Sequence, residues 1–125
     1  MRSKPLMLFG SLMLGTVALV AQVSQPITVT GTISDTMCGA HHMMTNTSAA
    51  ECTRVCVKKT PGTKNSDYAL VVCNKIYTLK GNAAQLRQLN KYAGQNVTIE
   101  GKVPVASKGE ITGSIIFISS ISPVT

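Results

Sequence analysis

Tryptophan is missing from this chain, and its aromatic complement is three tyrosines and two phenylalanines in 125 residues. A stacking platform for single-stranded nucleic acid needs aromatic rings interleaved with basic groups. The basic residues Arg54, Lys58, Lys59, Lys64, Lys75, Lys80, Arg87 and Lys91 are scattered instead. Nucleic acid is therefore not an expected partner. Acidic residues number only five and none lie close together in sequence, so no general acid/base pair is visible. No Cys-x-x-Cys pair, no Cys-x-x-Cys-His segment and no glycine-rich phosphate loop occurs, which removes the usual dithiol, haem-attachment and nucleotide sites. Cys38 and His41 would make a thiolate-imidazole pair, but nothing else resembles an oxyanion site or a third catalytic member. The expectation is a protein that is not an enzyme.

Arg2 and Lys4 precede an apolar run from Leu6 to Ala21 that is broken only by Gly10, Ser11, Gly15 and Thr16. This is the layout of a secretory signal peptide, and the run is short for a span of a ~30 Å bilayer. Residues 1–24 are read as the leader and residues 25–125 as one exported domain, periplasmic or extracellular, with no stable membrane anchor after cleavage. About 100 residues remain, enough for a single core. Loss of Arg2 and Lys4 lowers the formal charge from +7 to about +5, which serves solubility and weak attraction to anionic surfaces.

Ile27, Val29, Gly31 and Ile33 alternate with threonines, the pattern of a half-buried strand. Val97 to Val103 repeats it with Gly101 in the middle. Mid-strand glycines suggest the bends or bulges of small closed barrels. Tyr68 to Cys73 and Ile76 to Lys80 form an expected hairpin around Asn74-Lys75, with the asparagine taking a positive φ. A last strand is expected from Ile111 towards Ile121, after a loop from Lys102 to Glu110. Ser48 and Glu51 read as a capping box opening a helix to about Lys59, stopped by Thr60-Pro61-Gly62. Asn82 and Gln85 cap a second helix with Leu86, Leu89 and Ala93 as its apolar stripe, ended by Gly94. The order predicts a mainly β, five-stranded OB-fold-like barrel. One helix lies between strands three and four, and a Cys/His loop plus helix is inserted between strands one and two.

That insertion concentrates the chemistry. Cys38, His41, His42, Cys52 and Cys56 include three of the four cysteines and both histidines of the chain. Cys52 and Cys56 are one helical turn apart, on the face shared with Ala49 and Val55. Cys38-x-x-His41 with Cys52-x-x-x-Cys56 is a Cys₃His set suited to tetrahedral zinc. Copper(I) would also suit it, with Met37, Met43 and Met44 as thioethers nearby or simply as loop packing. The spacing does not decide whether His41 or His42 points inward. Asp35 either orients a histidine or shapes the turn. The alternative is a disulfide staple from Cys38 to Cys52 or Cys56, with the domain binding a small ligand or an envelope protein through its barrel face. Thiol-redox activity is a third reading.

Several segments resemble a family of small exported bacterial proteins, a domain of unknown function with an OB-like barrel. They are Thr30 to His41, Glu51 to Lys58, Tyr68 to Val72, Ile76 to Leu79 and Tyr92 to Gly101. The likeness would run from about residue 29 to residue 121. It implies Asp35, Cys38, Gly39, a histidine at 41 or 42, Cys52 and Cys56 as signature positions. Cys73 and the loop from Thr60 to Asn65 look particular to this chain.

Overall fold

The computed structural model describes residues 23–42, 44–58, 66–105 and 114–125. The expected leader, Met43, the stop after the first helix and the start of the last strand at Ile111 lie outside the described residues. The elements run β1 (Ser24–Asp35), α1 (Ala49–Val57), β2 (Tyr68–Val72), β3 (Lys75–Lys80), α2 (Ala83–Lys91), β4 (Asn96–Pro104) and β5 (Ile115–Pro123). The strands close into a barrel in the order β1-β2-β3-β5-β4, with β3 and β5 parallel and the other pairs antiparallel. This is the OB-like arrangement read from the sequence. No helix among the described residues is long and apolar enough to cross a membrane.

β1 is long enough to serve two neighbours. Ser24 to Thr32 pair with β4, and Thr32 to Asp35 pair with β2. Gly31 sits where β1 passes from one partner to the other, and a Cβ there would strike the Val71 carbonyl oxygen and Val72 Cγ2. Gly101 lies at a register break between β4 and β5, as a bulge requires. Inside the barrel, Ile33, Leu70, Leu79, Val97, Ile99, Val103 and Ile116 are almost wholly buried, and Leu89 of α2 and Ala93 just after it join the same core. Each such aliphatic side chain stabilises the fold by about 1.5–3 kcal/mol relative to exposure.

Local expectations needed four corrections. In the β2–β3 turn the positive φ falls on Cys73 (53°), the first turn residue, and not on Asn74. On α1 the buried residues are Cys52 and Thr53, while Val55 is 52% exposed. The reason is the 3.6-residue period: Ala49, Cys52, Thr53 and Cys56 share a stripe that Val55 leaves by about 100°. Of the stripe expected for α2, Leu89 and Ala93 (the latter just past the helix end) are buried, but Leu86 is exposed. The box at the start of α1 is half formed: Ser48 Oγ accepts from Glu51 N, with no return bond among the described residues. The α2 box from Asn82 and Gln85 is complete.

Candidate metal centre

The buried end of β1 starts the site. Asp35 is fully buried, and its Oδ1 accepts from the backbone of Cys38 (2.9 Å) and Met37 (3.0 Å) and from Ser66 Oγ (3.1 Å). These bonds turn the chain sharply after the strand. Ser34 Oγ donates to the Gly39 carbonyl at 2.7 Å, and Gly39 N returns to Asp35 O at 2.9 Å. Gly39 has φ 59° and lies against Ile76, whose Cδ1 would be 2.6 Å from any added Cβ. The loop is thus held to β3 and to Ser66. Asp35 shapes the turn, and no histidine appears among its bonding partners in the described residues.

α1 brings the other thiols to this loop. Its start packs on Gly94, whose φ of 76° lets the backbone pass within 2.7 Å (measured from an ideal Cβ) of Ala50 N. Gly94 N donates to Ile33 O, and Ser66 N donates to Cys56 O. The start of the helix therefore lies against a turn that is bonded to β1, and its end is bonded to Ser66, two residues before β2. As a result Cys38 Sγ lies 3.7 Å from Cys52 Sγ and 3.8 Å from Cys56 Sγ. A disulfide needs about 2.05 Å. None of the four cysteines is disulfide-bonded, so the expected staple is not formed. Tetrahedral zinc with Zn–S bonds of about 2.3 Å places its sulfurs about 3.8 Å apart. The observed separations match that edge.

Among the described residues, two ligand groups close to within 4.8 Å: Cys38, His42 and Cys52, and Asp35, Cys38 and Cys56. Cys38 belongs to both. His42 joins the cluster, whereas His41 is exposed and belongs to neither group. Met37 and Met44 are 58% and 41% exposed. Cys73 is exposed in the β2–β3 turn, apart from the other thiols in both groups. Among the described residues, three buried side-chain polar atoms have no hydrogen-bond partner: Asp35 Oδ2, His42 Nδ1 and Thr53 Oγ1. Two of the three sit in the cluster, one in each group. An unpartnered buried polar atom is costly, and a bound cation is one means of satisfying it. The Cys56 thiol is pushed up to about 12 by burial, by its hydrogen bond with Cys38 and by the nearby Asp35 charge. That environment holds a proton where a metal would serve the same charge. A Cys/His cluster that can hold a metal is thus present.

The sequence had singled out every member of both groups, Asp35 as a turn former or an acceptor orienting a histidine. It missed Ser34 and Ser66, which anchor the loop. Ser66 lies far along the chain and no local pattern marks it. Away from the thiols, α1, α2 and β2 border a shallow cavity of about 410 Å³ lined by Arg54, Val57, Lys58, Tyr68, Leu86 and Arg87, among others. The fold and site together define a small five-stranded barrel carrying a thiol-imidazole cluster at one end of its first strand. Compared with protein-family models, curated proteins and solved structures, the chain matches none.

Proposed function

We propose that this is a small exported metal-binding domain that takes zinc or copper(I) through Cys38, Cys52 and His42, with Cys56 one helical turn beyond Cys52. The observation that carries the reading is the pair of sulfurs 3.7 Å apart with a ring nitrogen of His42 within 4.8 Å of both, in an imidazole whose buried Nδ1 has no hydrogen-bond partner. Thiolate and neutral imidazole are the donors that borderline and soft cations prefer. The reading is of a binding protein: thiol and imidazole donors gathered within 4.8 Å of one another suit the holding of an ion. Export is supported by the charged and apolar leader pattern and by the resemblance to small exported bacterial proteins.

The test is metal content. The reduced protein is stripped with chelator, loaded with zinc or, anaerobically, with copper(I), desalted and weighed by native mass spectrometry. Retention of ion by the wild type, and its loss or sharp weakening in His42→Ala but not in His41→Ala, is the expected result. A reduced protein that retains no ion, together with as-isolated protein that lacks two hydrogens per cysteine pair under denaturing, non-reducing conditions, would make the cysteines a staple and sink the proposal.

A further inference from the structure

We propose that the cluster holds two metal ions, bridged by the Cys38 thiolate: one bound by His42 and Cys52, the other by Asp35 and Cys56. The inference rests on the metal-binding reading above and extends it to a second site.

The ligand geometry divides about Cys38. Cys52 and Cys56 share no group within 4.8 Å, although each lies within 3.8 Å of Cys38. A single tetrahedral ion bound to all three thiols would need every sulfur pair at an edge of about 3.8 Å. One of the two helix thiols would have to swing across for that. Two ions sharing Cys38 need no such movement. Each would find three protein ligands, and three-ligand sites leave the fourth position to water or a partner group.

The unpartnered atoms divide the same way. His42 Nδ1 is the orphan of one group and Asp35 Oδ2 the orphan of the other. Asp35 is wholly buried and spends Oδ1 on the loop, while Oδ2 is buried without a hydrogen-bond partner in a carboxylate that lies within 4.8 Å of the Cys38 and Cys56 sulfurs. A single ion at Cys38, His42 and Cys52 would leave that oxygen as it is.

Charge completes the argument. Three thiolates and one carboxylate carry four negative charges, and two divalent cations cancel them while His42 stays neutral. One divalent ion would leave a buried excess of anionic charge or protonated ligands, and buried unpaired charge is strongly disfavoured. Copper(I) cannot balance the set with two ions. The second site therefore points to a divalent, thiolate-accepting cation of the zinc class. Loading expels three protons, one from each thiol.

Cadmium, a zinc-class probe, reads the sites directly. The reduced protein in a Cys73→Ser background, which removes the exposed turn thiol, is titrated with cadmium. Stoichiometry is taken from native mass spectrometry and site count from cadmium NMR. The expected result is two ions and two resonances per chain. Asp35→Asn, which retains the Oδ1 acceptor for the loop, falls to one ion. Cys56→Ser and His42→Ala, each removing a ligand of one group only, also fall to one, with different resonances surviving. Cys38→Ser loses tight binding of both. Saturation of the wild type at one ion, unchanged in Asp35→Asn and Cys56→Ser, would overturn the second site and leave the metal-binding reading intact. A Cys38→Ser variant that still holds two ions would overturn the bridge. Failure to bind any ion would overturn both readings.

Discussion

Asp35→Ala in the metal-free protein measures how firmly the ligand loop is built before any ion arrives. The alanine removes an acceptor of three hydrogen bonds at 2.9, 3.0 and 3.1 Å. The bond to Cys38 N is charge-assisted, and its loss costs about 1.5–3 kcal/mol. The other two donors have second acceptors: Met37 N reaches Ser66 Oγ at 3.2 Å, and Ser66 Oγ reaches Asp67 O at 3.4 Å. Their weakening adds roughly 0.5–1 kcal/mol, for a total of about 2–4 kcal/mol. Asparagine preserves the acceptor but not its charge, and neutral bonds are roughly half as strong, so Asp35→Asn costs about 1 kcal/mol. Urea unfolding followed by far-ultraviolet circular dichroism reads both. With a slope of about 1.5 kcal/mol per molar urea, alanine lowers the midpoint by about 1.3–2.7 M and asparagine by about 0.7 M. Two results refute the reasoning: alanine within about 0.3 M of the wild type, or asparagine falling as far as alanine. Either would mean that Oδ1 does not hold the loop.

Cys56 supplies a pH prediction. Its folded pKa is raised from 9.0 to about 12, so the protonated thiol is favoured by the fold. Its contribution to stability is complete below pH 9 and disappears as pH rises towards 12; alkaline unfolding of the metal-free protein in that window, reduced in Cys56→Ser, is the expected result. At pH 8 the thiolate fraction of Cys56 is roughly a thousandfold below that of an ordinary thiol, so iodoacetamide mapping should find exposed Cys73 modified long before Cys56. Equal rates at the two positions would refute it. Gly94→Ala combines a left-handed φ with a Cβ 2.7 Å from Ala50 N; it should cost about 2–3 kcal/mol and weaken metal retention, because α1 carries Cys52 and Cys56. A variant with wild-type thermal stability would contradict that packing. Arg54 donates Nε to Asn90 O at 2.9 Å and a longer bond to Lys91 O at the end of α2. Arg54→Leu should lower stability by about 0.5–1 kcal/mol without changing metal content.

Much of the barrel was legible along the chain. Ile27 to Ile33 and Val97 to Val103 alternate with a period of two, and only a sheet with one wet face uses that period. Asn82 with Gln85 announced α2, because a capping box satisfies backbone donors whose positions follow from helix geometry. Val55 and Leu86 were misplaced for a different reason. Short helices carry too few turns to define a stripe, and the neighbouring element decides which edge is covered. Cys73 took the positive φ expected at Asn74 because the pairing of Val72 with Lys75 sets the turn, whatever the local preference.

The chain alone established the barrel class, the two helices and the set of residues from which a metal site would be drawn, since caps, periods and residue chemistry are all local properties. Tertiary structure selected His42 over His41 and divided the ligands about Cys38. It also buried the turn-forming Asp35 carboxylate and left its Oδ2 without a hydrogen-bond partner. Those choices depend on Ser66, Ile76 and Gly94 reaching the loop and helix from distant points of the sequence. A loop without a repeating backbone geometry has no period to read, so the direction of each side chain is settled only by the elements packed against it.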